Sequence, residues 1–193
     1  MASHRERMVA SAALLIRERG AHPTAIADVL AHSGAPRGSA YHYFPGGRTQ
    51  LLCEAVDLAG TYVASQIEEA ESGVDALDRL VLGFRKQLIN SEFRAGCPVV
   101  AVAVESGAKG DQLAPVVDRA AVAFARWNTL ITDRLRADGV DADRAEELAT
   151  LALTAVEGAI VVARAARDVK PLDLVHRQLR ALLETATESE AER

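Results

Sequence analysis

Apolar residues recur at helical spacing along almost the whole chain, and Gly, Pro and clusters of charge interrupt them. Met8, Ala12, Leu15 and Ile16 share one helical face, behind a start signal in which Ser3 is followed three positions later by Glu6. Gly20 and Pro23 end that helix. Thr24 is suited to cap a second helix whose inward face is Ile26, Val29 and Leu30. Gly34 turns the chain, and Pro36 fits the first position of a third, very short helix. That helix cannot pass Phe44, because Pro45 disfavours a helical residue before it and Gly46-Gly47 follow. Two short helices joined by a tight Gly-containing turn make a helix-turn-helix.

Beyond this head the pattern stays helical. Leu51, Leu52, Ala55, Val56, Ala59, Tyr62 and Val63 form the stripe of a fourth helix from near Arg48 towards Glu68. A fifth, from Val74 to about Glu92, carries Leu77, Leu80, Val81, Phe84 and Leu88 inward. Val99 to Val104 could be a strand by periodicity, but Pro98 opens the segment and Gly107 closes it, which predicts a short buried helix. A helix from Ala114 to Ala137 bears Val117, Ala120, Phe124, Trp127, Ile131 and Leu135, and Gly139 ends it. Asp143 and Glu146 look like a capping pair for a long helix to about Asp168, rich in Ala and Gly. Pro171 opens the last helix, with Leu172, Val175, Leu179, Leu182 and Leu183 on its apolar side, and the tail Glu188–Arg193 is expected to fray. The prediction is an all-α protein of about nine helices, divided into a head over residues 1–48 and a body over 49–193.

Composition narrows the class. Only 4% of residues are aromatic and 49% are hydrophobic, which favours helix and gives ample core material. There is no run of about 18 apolar residues and no hydrophobic leader after Met1, so a cytoplasmic protein that does not enter a membrane is expected. Cys53 and Cys97 have no metal-ligand spacing, and reduced thiols are expected. No metal and no cofactor is expected. No Gly-rich phosphate loop, nucleophile elbow or His-Glu-x-x-His motif is present, so an enzyme is not expected.

Charge gives the first hint of a partner. The net charge is −5, yet residues 1–50 carry six Arg against Glu6, Glu18 and Asp28, a balance of +3 that leaves −8 for the rest. A basic head on an acidic body suits local binding to a polyanion. In a helix-turn-helix the N-terminal residues of the second helix meet base edges. Here these are Pro36, Arg37, Gly38 and Ser39, then Tyr41 and His42. Arg37 can fork onto guanine or pair with phosphate, Ser39 can do either more weakly, and Gly38 lets backbone approach the duplex. Thr24 and Arg48 stand at helix starts, where a phosphate is favoured. Phe44 reads as core, while Tyr41 and Tyr43 could pack or touch DNA.

Thr24, Val29, Gly34, Gly38, the run Tyr41-His42-Tyr43-Phe44 and Arg48 ahead of Leu51 resemble the head of the tetracycline-repressor (TetR) family. The Phe44-Pro45-Gly46-Gly47-Arg48 turn and Gly96-Cys97-Pro98 resemble its LmrA/YxaF-like subgroup. The resemblance implies a three-helix helix-turn-helix head and a C-terminal helical bundle for ligand binding and dimerisation. It implies DNA contacts from Thr24, Arg37, Gly38, Ser39, Tyr41, His42, Tyr43 and Arg48, with double-stranded operator DNA as partner. Ala27 stands where many members have a basic residue, and Leu30 replaces a usual small one. A helical protein-interaction module is the rival reading, separated from this one by salt-dependent DNA binding.

In the body, the final two helices are the candidate homodimer surface: Leu148, Leu151, Ala152, Ala155, Ala159, Val175, Leu179 and Leu182. The alternative is that the Ala-rich helix is simply the core of one subunit. Tyr62, Phe84, Phe93, Phe124 and Trp127 either converge on a cavity for a small apolar or aromatic effector or are ordinary core aromatics. Glu105, Asn128 and Glu157 are the candidate polar partners of such an effector. Cys97, at a helix start, is either an oxidant sensor or an inert buried thiol.

Overall fold

A computed structural model describes residues 2–105 and 111–191. Within them the protein is all-helical: α1 His4–Arg19, α2 Ile26–Ser33, α3 Ser39–Tyr43, α4 Gly47–Glu68, α5 Gly73–Asn90, α6 Pro98–Ala103, α7 Ala114–Ala137, α8 Ala142–Ala166 and α9 Lys170–Ala191. They divide into two compact units, one drawn from Met1–Thr61 and Cys97–Ala123, the other from Tyr62–Gly96 and Phe124–Arg193. Helices α4 and α7 each pass from one unit into the other.

In the first unit α1 packs against α2, α3 and α6. Its start is the expected reciprocal cap: Ser3 Oγ accepts from the Glu6 N–H at 3.2 Å, and Glu6 Oε2 accepts from the Ser3 N–H at 2.8 Å. Met8, Ala12 and Ile16 are fully buried, as their spacing predicts, and so are Val29 and Phe44. Gly34 closes α2 at φ +65, a left-handed conformation that suits glycine. The α6 segment is helical, so its β-branched run is an inner helix and not a strand. The proposed closing residue of that run, Gly107, lies outside the described residues.

In the second unit α8 and α9 pack on each other, and both pack on α5. Side chains tie these helices across the apolar seams. Asp78 of α5 accepts from His176 Nε2 at 2.6 Å and also from Arg180, both on α9. Arg85 Nε reaches Asp173 at 2.9 Å. Asp138, just past α7, accepts from the first N–H of α5, that of Gly73, at 2.6 Å. The side-chain pairs are partly exposed, so each contributes little by itself.

Four local expectations need correction. Thr24 does not cap α2: the cap position is Ala25, and Thr24 Oγ1 instead donates to the Gly20 carbonyl at 2.7 Å. Pro36 does not open α3. Pro36–Gly38 form a turn, Ser39 donates its N–H to Pro36 O at 2.9 Å, and the helix begins at Ser39. The cap of α8 is Asp141, which accepts from the N–H groups of Asp143 and Arg144, two places earlier than Asp143. The C-terminal segment stays helical to Ala191. In addition, α8 holds an 18-residue window of mean hydropathy 1.6, long and apolar enough to cross a membrane by length and composition. Glu157 and Arg164 interrupt that window, so it is not a continuous apolar run, and 44% of it is buried inside the protein.

Candidate nucleic-acid interface

The exposed rim of the head is formed by the turn before α3 and by α3 itself. Arg37, Gly38 and His42 are exposed, and Tyr41 is 73% exposed, a large value for an aromatic side chain. Ser39 and Tyr43 are half-buried. Ser39 Oγ donates back to Pro36 O at 2.6 Å, so its hydroxyl shapes the turn. Tyr43 packs edge-on against His42, ring centroids 5.1 Å apart. The two tyrosines therefore part company: Tyr41 projects outward, while Tyr43 is held by its neighbour.

The head arginines divide in the same way. Arg5 pairs with Glu54 at 2.7 Å and lies 5.5 Å over the Phe44 ring. Arg7 donates to the carbonyls of Ala2 and Ser33. Arg19 pairs with Asp28 at 2.8 Å. Arg37 makes no hydrogen bond or ion pair with the described residues. Its guanidinium is therefore available at the exposed turn.

Thr24 and Arg48 have a different place from the one their sequence positions imply. Thr24 is only 1% exposed. Arg48 folds back on the α1–α2 loop, its Nε donating to Thr24 O at 2.8 Å and its Nη2 to Ala21 O at 2.6 Å and His22 O at 2.7 Å. The opposite side of the same loop is held by Glu105, at the end of α6. Its two carboxylate oxygens accept from the N–H groups of Ala21, at 2.6 Å, and His22, at 2.9 Å. Gly20, at φ +90, lies directly against Glu105, so that a Cβ there would collide with the carboxylate. Acid and base thus grip one loop from its N–H and C=O sides. Sequence reading missed this, because partners 24 to 84 positions apart leave no local signal. Glu105→Ala or Arg48→Ala is expected to lower stability by about 1–3 kcal/mol, as several loop hydrogen bonds to charged groups disappear at once. Urea unfolding checks this, and an unmoved midpoint would rule out the clamp.

Three of the candidate effector residues, Phe84, Trp127 and Glu157, meet in one cavity of the second unit, with Val63, Leu77, Leu80, Ile131, Leu153 and Val156 in its wall. It encloses about 400 Å3 with its open mouth included, and the closed part is roughly the size of a water molecule. Phe124 supports the wall from outside, edge-on to Trp127 at 5.3 Å. The other candidates lie elsewhere. Tyr62 is exposed, Glu105 holds the head loop, and Asn128 Oδ1 accepts from Thr150 at 3.4 Å. Phe93 sits in the turn after α5 at φ +60. The aliphatic lining was legible in the α5 stripe, though only as core.

Of the candidate dimer residues, Leu148, Ala152, Ala159 and Leu179 are buried within the single chain, and Ala155, Val175 and Leu182 are half-buried. Leu151 is 47% exposed, and it heads an outward row on α8 that continues through Gly158, Val161 and Val162. Cys97 is buried at the start of α6. Burial pushes the Cys53 thiol pKa up, away from the reactive thiolate.

The arrangement of an uncommitted arginine on a helix-turn-helix agrees with what the chain is similar to. Residues 9–55 match the family model described as bacterial regulatory proteins, tetR family, and residues 73–178 match transcriptional regulator LmrA/YxaF-like, C-terminal domain. The chain belongs to the TetR family. It is 64% identical over 185 residues, 95% of each chain, to an uncharacterized HTH-type transcriptional regulator of Mycobacterium tuberculosis. To the Bacillus subtilis HTH-type regulator YxaF it is 30% identical, covering 93% of this chain and 94% of that one. A TetR regulator of Legionella pneumophila shares the fold at a TM-score of 0.82 and 19% identity, covering 94% of this chain and 98% of that one. The protein is a TetR-family DNA-binding transcriptional regulator and not an enzyme. Membership decides against a helical interaction module without DNA binding.

Proposed function

We propose that this TetR regulator is a homodimeric, ligand-responsive repressor, released from a palindromic operator when a small effector enters the body. In this reading residues 1–48 read DNA, and residues 49–193 dimerise and sense. Arg37, Gly38, Tyr41 and His42 make the direct contacts at half-sites about 34–36 Å apart. Ser39 and Tyr43 shape the turn and add phosphate contacts, while Thr24 and Arg48 act through the α1–α2 loop and their backbone. The protein works in the cytoplasm, where its operator is.

The observation that supports ligand response is the apolar cavity holding Phe84, Trp127 and Glu157. Its closed part is too small for a drug-sized molecule. Any such ligand must therefore prefer a body state in which α5, α7 and α8 stand further apart. A ligand shifts an equilibrium only by its differential affinity for two states. Because α4 and α7 belong to both units, a shift in the body is passed along continuous helix to the head. The test is to recover the DNA this protein retains from its own genome and titrate it with and without small apolar and aromatic compounds. A compound that enters the cavity and weakens operator binding supports the reading. Compounds that enter and leave operator affinity unchanged overturn it.

A further inference from the structure

The far end of α3 is held by a chain of side chains that reaches from α1 through α4. Phe44 closes α3, and the guanidinium of Arg5, in the first turn of α1, lies 5.5 Å over its ring. Arg5 Nη2 donates to Glu54 Oε2 at 2.7 Å, and the other carboxylate oxygen, Oε1, accepts from Gln50 Nε2 at 3.0 Å. Gln50 Oε1 in turn accepts from the Gly46 N–H at 2.8 Å, in the turn that follows α3. This assigns both ends of the amide, since turning it over would set donor against donor and acceptor against acceptor. A Cβ on Gly46 would stand 3.1 Å from Gln50 Cβ and Oε1, so glycine leaves room for that bond. The side chains of Arg5 and Glu54 are 46% and 24% exposed, and their pairing adds little to stability. What it decides is where a charge goes. Freed from Glu54, the guanidinium beside α3 would be available to any phosphate, and a phosphate contact carries no sequence information.

We propose that Glu54 is a positioning residue that sets DNA specificity without touching DNA. It withholds Arg5 from phosphate and, through Gln50, holds the end of α3 in register for base contacts. The first action lowers affinity for DNA of every sequence. The second raises affinity for the operator alone, because only there do contacts to base edges depend on the placement of the helix. The proposal rests on the reading of α3 and the turn before it as the operator-contacting element.

The experiment titrates the full-length protein, across salt concentrations, with the genomic fragment it retains and with a duplex of equal length and scrambled sequence. A loss of folded protein cancels in the ratio of the two affinities, so a residue that only supports the fold would leave the ratio unmoved. Glu54→Gln keeps the size of the side chain and removes its charge. It is expected to bind scrambled DNA about three- to tenfold more tightly and to steepen the salt slope by up to about one unit per head. The ratio of operator to scrambled affinity is expected to fall at least about tenfold. Adding Arg5→Gln to Glu54→Gln should return the salt slope to the wild-type value and leave the ratio low. Gln50→Ala, which keeps both charges in place, should lower the ratio at an unchanged slope. A ratio in Glu54→Gln within about twofold of wild type overturns the proposal, and so does an unchanged salt slope. If Glu54→Gln fails to fold, the ratio in Gln50→Ala decides in the same way. Arg37→Ala in the same titrations separates the two readings. If it lowers the ratio and Glu54→Gln does not, only the role of Glu54 is lost; if neither does, the placement of the reading helix fails with it.

Discussion

Arg37→Ala is expected to cost about 1–3 kcal/mol of operator affinity per head, and about 2–6 kcal/mol for a dimer whose two distant heads contribute additively. The size follows from what the side chain leaves behind. Arg37 has no partner among the described residues, so its removal breaks no internal contact and should leave the unfolding midpoint unchanged. Arg5, Arg19 and Arg48 are engaged within the chain, and their replacement mixes binding with folding. The pattern of the loss identifies the contact. A guanine contact gives relaxed discrimination at one position of each half-site. A phosphate contact gives uniform weakening across sequences and lowers the salt slope by about one unit per head. Operator titrations at several salt concentrations separate the two, and an affinity within about twofold of wild type would exclude Arg37 from the interface.

The same division between free and committed side chains shows what was legible in the sequence. Helix number and order followed from apolar periodicity and from Gly and Pro at the breaks, and the Ser3–Glu6 cap was readable because its partners are local. Thr24 and Arg48 were not readable, since each looks like a helix-start residue, yet Thr24 turns its hydroxyl back to the Gly20 carbonyl and Arg48 is claimed by carbonyls 24 to 27 positions away. Glu105 reads in the sequence as a possible polar partner of an effector, yet in the fold its carboxylate holds the head loop. The chemistry of the cavity was half legible. The α5 stripe marked Leu77, Leu80 and Phe84 as inward, but only the fold shows that they meet Trp127 and Glu157. On α8, Ala, Gly, Leu and Val occupy nearly every side, so periodicity could not tell the face turned to α9 and α5 from the face left outward.

That outward face carries the second large expected effect. Leu151, Gly158, Val161 and Val162 recur at spacings of three, four, seven and eleven, which places them along one side of α8. A Cβ built on Gly158 would meet nothing within 4 Å in the single chain. Gly158→Arg therefore brings no clash within the subunit, and replacing a helix-interior glycine favours the helix by up to about 1 kcal/mol. If two copies pair through this row, the same side chain enters a close helix–helix approach and buries an unpaired charge, a penalty of about 3–5 kcal/mol for each copy. The expected result is a well-folded monomer by light scattering, helical by circular dichroism, with operator affinity reduced at least about a hundredfold because one head reads too few base pairs to hold DNA alone. Gly158→Ala, which adds only a methyl group, should remain dimeric or nearly so. A Gly158→Arg protein that stays dimeric and binds operator like wild type would place the pairing surface elsewhere. The outward apolar row of α8, and its membrane-like hydropathy, would then need another partner.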